Sequence, residues 1–99
     1  MSYKHLSVEE CKVLLKNPET HVLDIRDAQS YAAGHIEGAI AAKDFKAFMT
    51  NANKDAPLVV CCYHGNTSQG AAEQLVKQGF TNVYSLDGGY EAWENADNG

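Results

Sequence analysis

The sequence predicts a single α/β domain, with a parallel β-sheet of about five strands and helices on both faces. Three observations support this fold. Short apolar runs alternate with helical patterns along all 99 residues. One run, "LVVCC" at 58–62, is continuously apolar, which is typical of a central parallel strand. The chain length also suits a single hydrophobic core. We therefore expect one domain over 1–99, with its core at about 5–93 and a short polar tail at 95–99.

Capping signals locate the elements in the first half of the chain. The capping box "SVEE" predicts a helix that starts after Ser7, and Pro18 marks its end. "HVLDI" at 21–25 predicts a buried strand. Asp27 can cap the helix "AQSYAA", which Gly34 then stops. The inward side of the first helix is predicted to hold Val8, Cys11, Leu14 and Leu15.

The second half repeats the alternation. "GAIAA" around Ile40 predicts a short strand, and "DFKAFMTNA" predicts a helix. The strand at 58–62 leads into the helical pattern "SQGAAEQLVKQG", which Gly79 closes. "NVYSL" and "GGYEAWENA" predict a last strand and a last helix. The buried side of the helix before Gly79 is predicted to hold Ala71, Ala72, Leu75 and Val76.

Composition restricts the partners and the compartment. The formal charge of −5 argues against nucleic acid or an anionic membrane as a partner. No apolar run approaches the roughly 20 residues of a membrane span, and the start lacks a secretory signal. The three cysteines, two of them adjacent, are a poor basis for disulfides, so we expect a cytoplasmic protein. The four histidines have no metal-ligand spacing with the cysteines, and we expect neither a metal nor a cofactor.

Cys62 is the candidate nucleophile because it lies where the strand at 58–62 gives way to the next helix. Ligands of open parallel sheets collect beyond the carboxyl ends of the strands. Gly65 lets the following loop curl tightly, and successive amides together with a helix start form an anion-binding nest. The same field stabilises a thiolate, which lowers a cysteine pKa from its usual value of about 8.5. Residues 63–72 contain no Asp or Glu, as an anion site requires.

The loop amides are the candidate anion-binding groups. Thr67 or Ser68 can cap the helix that follows, and a protonated His64 could add positive charge. Cys61 alternates onto the opposite face of the sheet and is predicted to be core, as is Cys11. The candidate substrate-binding residues are Tyr63, His64, Gly65, Asn66, Thr67 and Ser68.

Three segments resemble, in order and spacing, the rhodanese family of sulfurtransferases in its single-domain form. They are "LDIRDAQSYAAGHIEGAI", "CYHGNTS" and "LDGGYEAW", and the likeness runs from His5 to Trp93. The resemblance implies that the Cys62 thiolate attacks the outer sulfur of thiosulfate, expels sulfite and becomes a persulfide. A thiophilic acceptor, such as cyanide or a dithiol protein like thioredoxin, then removes that sulfur. Many rhodaneses close the loop with an arginine where this chain has Ser68, so weak thiosulfate binding is expected.

The remaining motifs are predicted to be structural. Asp24 and Arg26 alternate onto one side of a strand end, where an ion pair bracing neighbouring loops is the favoured interpretation. His35 is interpreted as a hydrogen-bonded structural histidine. Gly88 and Gly89 let the chain turn sharply near the rim of the site.

Alternative functions come from the same loop. A cysteine phosphatase or arsenate reductase also holds an anion over a thiolate, but with an arginine in the loop, which this chain lacks. A non-catalytic rhodanese-type binding module usually lacks the cysteine, which is intact here. A persulfide carrier that turns thiosulfate over only slowly stays open beside the sulfurtransferase, because a fold does not fix a function.

Overall fold

The structure, a computed structural model, describes residues 2–98. Within that range the chain folds into one five-stranded sheet of parallel strands in the order β1-β5-β4-β2-β3. The strands are β1 (Lys4–Leu6), β2 (His21–Asp24), β3 (Ile40–Ala41), β4 (Leu58–Cys61) and β5 (Val83–Leu86). The helices are α1 (Val8–Leu14), α2 (Ala28–Ala33), α3 (Phe45–Thr50), α4 (Thr67–Lys77) and α5 (Gly89–Asn98). A short 3₁₀ turn, Ala42–Asp44, precedes α3. The predicted α/β fold is confirmed.

The core lies on both faces of the sheet, and the central strand β4 divides it. Val59 and Cys61 belong to one apolar cluster, which includes residues of α1 and α5. Leu58 and Val60 belong to the other, which includes residues of α3 and α4. This division follows from the alternation of side chains along a strand. Cys61 and Cys11 have no exposed surface and share the first cluster, so their assignment to the core is confirmed.

The two predicted caps in the first half are present. The Ser7 hydroxyl accepts from the backbone N–H of Glu10 at 3.1 Å, and the Glu10 carboxylate accepts from the N–H of Ser7 at 2.9 Å. The Asp27 carboxylate accepts from the N–H of Ser30 at 3.1 Å, and α2 ends at Gly34 as predicted. Each cap satisfies backbone donors that the helix itself leaves free.

The predicted cap of α4 is wrong. Asn66 is the residue that precedes the helix, without a side-chain cap, and Thr67 and Ser68 lie inside the first turn. The reason is that Ser68 is fully buried, and its hydroxyl bonds to side chains of the loop and the sheet instead of to its own helix.

The ends of the chain differ from expectation in two ways. β1, which the apolar runs did not indicate, pairs with β5 so that Leu6 stands beside Leu86. The last helix continues to Asn98, so residues 95–98, expected as a polar tail, are helical.

No helix within residues 2–98 has the length and apolar character to cross a membrane.

Candidate active site

Cys62 directly follows β4, the central strand, and therefore lies at the carboxyl edge of the sheet. The loop after it leads into α4, which begins at Thr67. The carboxyl edge of parallel strands is where open sheets bind ligands. The position predicted for the candidate nucleophile is thus the position that the fold gives it.

Hydrogen-bond donors surround the sulfur of Cys62. The backbone N–H of Gly65 donates to Sγ at 3.1 Å, and Oγ of Ser68 lies 3.3 Å from Sγ. Burial by itself raises the pKa of Cys62, because a charge loses water there, but hydrogen bonds from the Ser68 hydroxyl and from the N–H groups of Ser68, Gly65 and His64 outweigh it. The net effect lowers the pKa of Cys62 below its ordinary value. The residue is only 2% exposed.

The Ser68 hydroxyl is itself held from behind. Oγ of Ser68 lies 2.8 Å from Oγ of Ser85, which belongs to β5. Both serines are fully buried. Ser85 could not be identified from the sequence, because a lone serine in an apolar strand has no local signal that links it to a loop.

The start of α5 holds the loop from the other side. The N–H of Tyr90 donates to the carbonyl of Cys62 at 2.7 Å, and the N–H of Glu91 donates to the carbonyl of Tyr63 at 3.2 Å. These bonds engage the loop carbonyls, so the neighbouring loop N–H groups are free to point at the sulfur. The first amides of α5 therefore position the loop.

Two glycines permit this close packing. Gly65 has φ of +90°, and a Cβ there would lie 2.7 Å from the backbone nitrogen of Gly88. Gly89 has φ of +61°, and its Cβ would lie 2.7 Å from the backbone nitrogen of His64. Both distances are too short for a side chain, so the turn that aims the Gly65 amide at the sulfur requires glycine. The prediction that Gly89 allows a turn at the rim is confirmed.

The side chains of Tyr63 and His64 make contacts away from the sulfur. The Tyr63 hydroxyl bonds to the Asp27 carboxylate at the start of α2 and accepts from the Asp27 N–H at 3.3 Å. The His64 ring is exposed, with Nδ1 3.3 Å from Oε2 of Glu91. His64 thus contributes its backbone amide to Cys62, while its ring faces α5. Asn66 and Thr67 are exposed where α4 begins.

A cleft of about 310 Å³ opens beside the loop. Its lining includes Arg26, Tyr63, His64, Tyr90, Glu91 and Glu94. The two carboxylates come from α5, whereas the loop itself has no acidic residue. Sequence reasoning missed them, although the adjacent pair Gly88 and Gly89 indicates that α5 starts close to the rim.

Arg26, one member of the predicted ion pair, lines this cleft. Nη2 of Arg26 lies 2.7 Å from Oδ2 of Asp24 and also donates to the carbonyl of Gly34 at 2.6 Å. The guanidinium lies over the ring of Tyr90, 4.1 Å from its centroid. Hydrogen bonding to Asp24 raises the pKa of Arg26, which remains charged. The guanidinium therefore braces α2 and α5 and is already engaged before any anion binds.

The predicted structural role of His35 agrees with its contacts. Its Nδ1 lies 2.8 Å from the carbonyl of Tyr31, and its ring stacks on the Tyr31 ring at 3.8 Å between centroids. Within residues 2–98, no three His, Cys, Asp or Glu side chains are grouped so that they could hold a metal ion.

Comparison with known proteins gives consistent results. The family model described as rhodanese-like domain matches residues 7–96. The thiosulfate sulfurtransferase GlpE of Pseudoalteromonas translucida is 47% identical over 97% of this chain and 93% of that protein. The protein of the same name from Pseudomonas entomophila is 50% identical over 94% of this chain and 86% of that protein.

Solved structures agree in fold. The rhodanese-like domain of an Anabaena protein superposes with a TM-score of 0.82 at 28% identity, over 97% of this chain and 76% of that one. A sulfur-centred loop at the carboxyl edge of the sheet, a family match over nearly all of the chain and close curated relatives lead to one conclusion. This chain is a member of the rhodanese family.

Proposed function

We propose that this protein is a thiosulfate sulfurtransferase, which moves the outer sulfur of thiosulfate to a thiophilic acceptor through a persulfide on Cys62. The observation that carries the proposal is the pair of groups at Sγ of Cys62: the Gly65 N–H donates to it at 3.1 Å, and the Ser68 hydroxyl, 3.3 Å away, can donate to it once the sulfur is a thiolate. The similarity to two thiosulfate sulfurtransferases supports thiosulfate as the substrate.

The first half-reaction needs no proton donor. The Cys62 thiolate attacks the outer sulfur of thiosulfate, a new S–S bond forms, and the old S–S bond breaks with its electron pair on sulfite. One thiolate and one dianion give one persulfide anion and one sulfite dianion, so charge is conserved. Covalent catalysis through an activated thiolate is sufficient, because sulfite is a good leaving group.

The loop amides supply the stabilisation that this step requires. A thiolate that meets a dianion is repelled, and fixed donors offset the repulsion, each contributing roughly 3 kcal/mol in a dry site. Since Glu91 and Glu94 line the cleft, the attraction for thiosulfate comes from these local donors and not from the field of the whole protein. This balance favours weak binding of the donor substrate.

The second half-reaction returns the thiolate. Cyanide takes the outer sulfur as thiocyanate and leaves Cys62 as its thiolate. A dithiol protein such as thioredoxin takes the sulfur as its own persulfide; its second thiol then closes a disulfide and releases hydrosulfide. The free thiols of Cys11, Cys61 and Cys62 suit a reducing compartment, and we infer that the protein acts in the cytoplasm. We also propose that residues 1–99 form one rhodanese domain.

Intact-protein mass spectrometry tests the nucleophile. After treatment with thiosulfate and removal of the excess, the protein should carry one added sulfur atom, which cyanide should release as thiocyanate. Cys62→Ser should lose the added sulfur, and the matched neighbour Cys61→Ser should keep it. Loading of Cys62→Ser, or a loss confined to Cys61→Ser, would overturn the assignment.

A persulfide carrier is the second candidate, and the 2% exposure of Cys62 favours it, because a sheltered persulfide is protected from stray thiols. The two functions differ in rate. A carrier would form the persulfide but turn thiosulfate over only slowly with cyanide as the acceptor, whereas a sulfurtransferase would turn it over repeatedly. A phosphatase would instead hydrolyse p-nitrophenyl phosphate, and a binding module would not load.

A further inference from the structure

Three polar side-chain atoms form a continuous row from the loop into the sheet. Sγ of Cys62 lies 3.3 Å from Oγ of Ser68, and Oγ of Ser68 lies 2.8 Å from Oγ of Ser85. The two serines have no exposed surface. The row links the candidate nucleophile to β5, a strand with no residue in the loop.

The charge on the sulfur fixes the direction of the hydrogen bonds in this row. A thiolate has no proton, so the Ser68 hydroxyl must donate to Sγ, and its oxygen is then free to accept from Ser85. A neutral thiol can reverse the row, with Cys62 donating to Ser68 and Ser68 to Ser85. Each hydroxyl has one proton. Donation by Ser85 therefore favours the orientation of Ser68 that stabilises a thiolate.

Ser85 is placed as such a role requires. It pairs with Val60 of β4 on one side and with His5 of β1 on the other, so two strands fix its backbone. Val83, two residues earlier on the same face of β5, is buried and apolar. A buried hydroxyl is unfavourable unless it is hydrogen-bonded, and the Ser85 hydroxyl bonds to Ser68. Coupled hydrogen bonds in a dry interior also strengthen one another.

We propose that Ser85 is a positioning residue, whose buried hydroxyl holds the Ser68 hydroxyl as a donor to the sulfur of Cys62. This inference rests on the proposed role of Cys62 as nucleophile and adds a residue that does not touch the substrate. It concerns the free thiolate, so it can be tested without thiosulfate.

The test is the pH profile of Cys62 alkylation by iodoacetamide, followed by peptide mass analysis that separates Cys62 from Cys61 and Cys11. In Ser85→Ala, the midpoint of the profile should move to higher pH, and alkylation on its acidic side should be at least threefold slower. Ser85→Thr keeps the hydroxyl, so its alkylation midpoint should lie closer to that of the wild type. Thr20→Val is the matched control, because it removes a partly buried hydroxyl that bonds the carbonyl of Leu14, away from the sulfur.

A double-mutant cycle separates positioning from packing. If Ser85 acts through Ser68, then Ser85→Ala should not shift the profile further in a Ser68→Ala background. An undiminished shift in that background, or an unchanged profile in Ser85→Ala, would overturn the proposal. If Ser85→Ala does not fold, Ser85→Cys, which keeps the volume but donates weakly, takes its place. No variant in this experiment changes the residues of the Asp24–Arg26 pair, the His64–Glu91 pair or Cys61. A shift of the alkylation midpoint therefore reports on the hydroxyl row.

The alkylation profile and the sulfur-loading assay test the positioning role and the proposed function separately. A shifted profile in Ser85→Ala, together with an absence of sulfur loading in the wild type, would support the positioning role and contradict the sulfurtransferase. Sulfur loading without a shift would contradict only the positioning role.

Discussion

Nδ1 of His64 lies 3.3 Å from Oε2 of Glu91, so the histidine of the loop pairs with the last helix and turns its ring away from Cys62. Both side chains are about two-thirds exposed, at 64%. The donors at the sulfur are therefore backbone amides and a serine hydroxyl, and the acidity of Cys62 depends on the fold of the loop more than on a charged neighbour.

His64→Gln should change the reactivity of Cys62 little. The variant removes the imidazole but keeps the backbone N–H that stabilises the thiolate, and an exposed pair contributes only about 0–1 kcal/mol. We expect the pH midpoint of iodoacetamide alkylation at Cys62 to stay near that of the wild type. A large shift towards higher pH would show that the ring, and not the amide, activates the sulfur.

Glu91→Gln and Glu94→Gln should each strengthen thiosulfate binding. Both carboxylates line the cleft beside the cysteine loop and would repel a dianion that approaches through it, so their neutralisation should lower the half-saturating thiosulfate concentration roughly twofold or more at low salt. Added salt should reduce the difference, because it screens exposed charges. Glu73→Gln on the exposed side of α4 carries the same change of charge and serves as the control. An equal effect in Glu73→Gln would contradict a local role for the cleft.

Gly89→Ala and Gly70→Ala should have opposite effects on stability. A Cβ at Gly89 would lie 2.6 Å from the carbonyl carbon of Tyr63, whereas a Cβ at Gly70 in α4 meets no atom within 4 Å. Alanine in an exposed helix position should raise the free energy of unfolding by about 0.5–1 kcal/mol. Gly89→Ala should lower it and raise the pH midpoint of Cys62 alkylation. Urea unfolding measures the two free energies, and the pH profile of alkylation measures the midpoint. Equal stabilities of Gly89→Ala and Gly70→Ala would contradict the close approach of α5 to the loop.

Arg26→Met should be strongly destabilising. Asp24 is almost fully buried, and its partner supplies hydrogen bonds at 2.7 and 3.0 Å. The loss of one member of a buried pair costs about 3–5 kcal/mol, because the other charge is left unpaired. Arg26→Lys keeps the charge but not the forked geometry, so its free energy of unfolding should fall by less than that of Arg26→Met. A loss under 1 kcal/mol in Arg26→Met, measured by urea unfolding, would show that the pair is not important for stability.

The buried thiols should make the protein less stable at alkaline pH. Burial raises the pKa of Cys61 to about 12 and that of Cys11 to about 11, well above the ordinary value of a thiol. The unfolded chain therefore loses these protons first, and the stabilisation present below about pH 9 falls as the pH rises towards the folded values. Cys61→Ala should show a shallower decline of unfolding free energy above pH 9 than the wild type. Parallel declines would contradict the burial of a protonated thiol.

Local signals explain most of what the sequence could predict of the fold. The capping box at Ser7 and the cap at Asp27 depend on residues a few positions apart, and both are present. β1 is different, because Lys4–Leu6 is only three residues long and two of them are exposed. Its pairing with β5, distant along the chain, makes it a strand, and an apolar run cannot indicate that pairing.

The candidate site was predictable in position but not in its contacts. Cys62 was identified from the end of an apolar strand, a glycine turn and a helix start. Ser68 was interpreted as a cap, whereas its hydroxyl is engaged by Ser85 from a strand that follows α4. The carboxylate of Glu91 reaches the rim because α5 packs on the loop. Such long-range contacts depend on the packing of whole elements, which the local pattern does not contain.

The bonds from Tyr90 and Glu91 to the carbonyls of Cys62 and Tyr63 have a consequence for translation. The ribosome synthesises the cysteine loop before the helix that fixes that loop. A chain that ends before β5 therefore presents an ordinary thiol, with neither β5 behind it nor the amides of α5 above it. Reactivity at the sulfur thus arises late, once the emerging polypeptide can close around it.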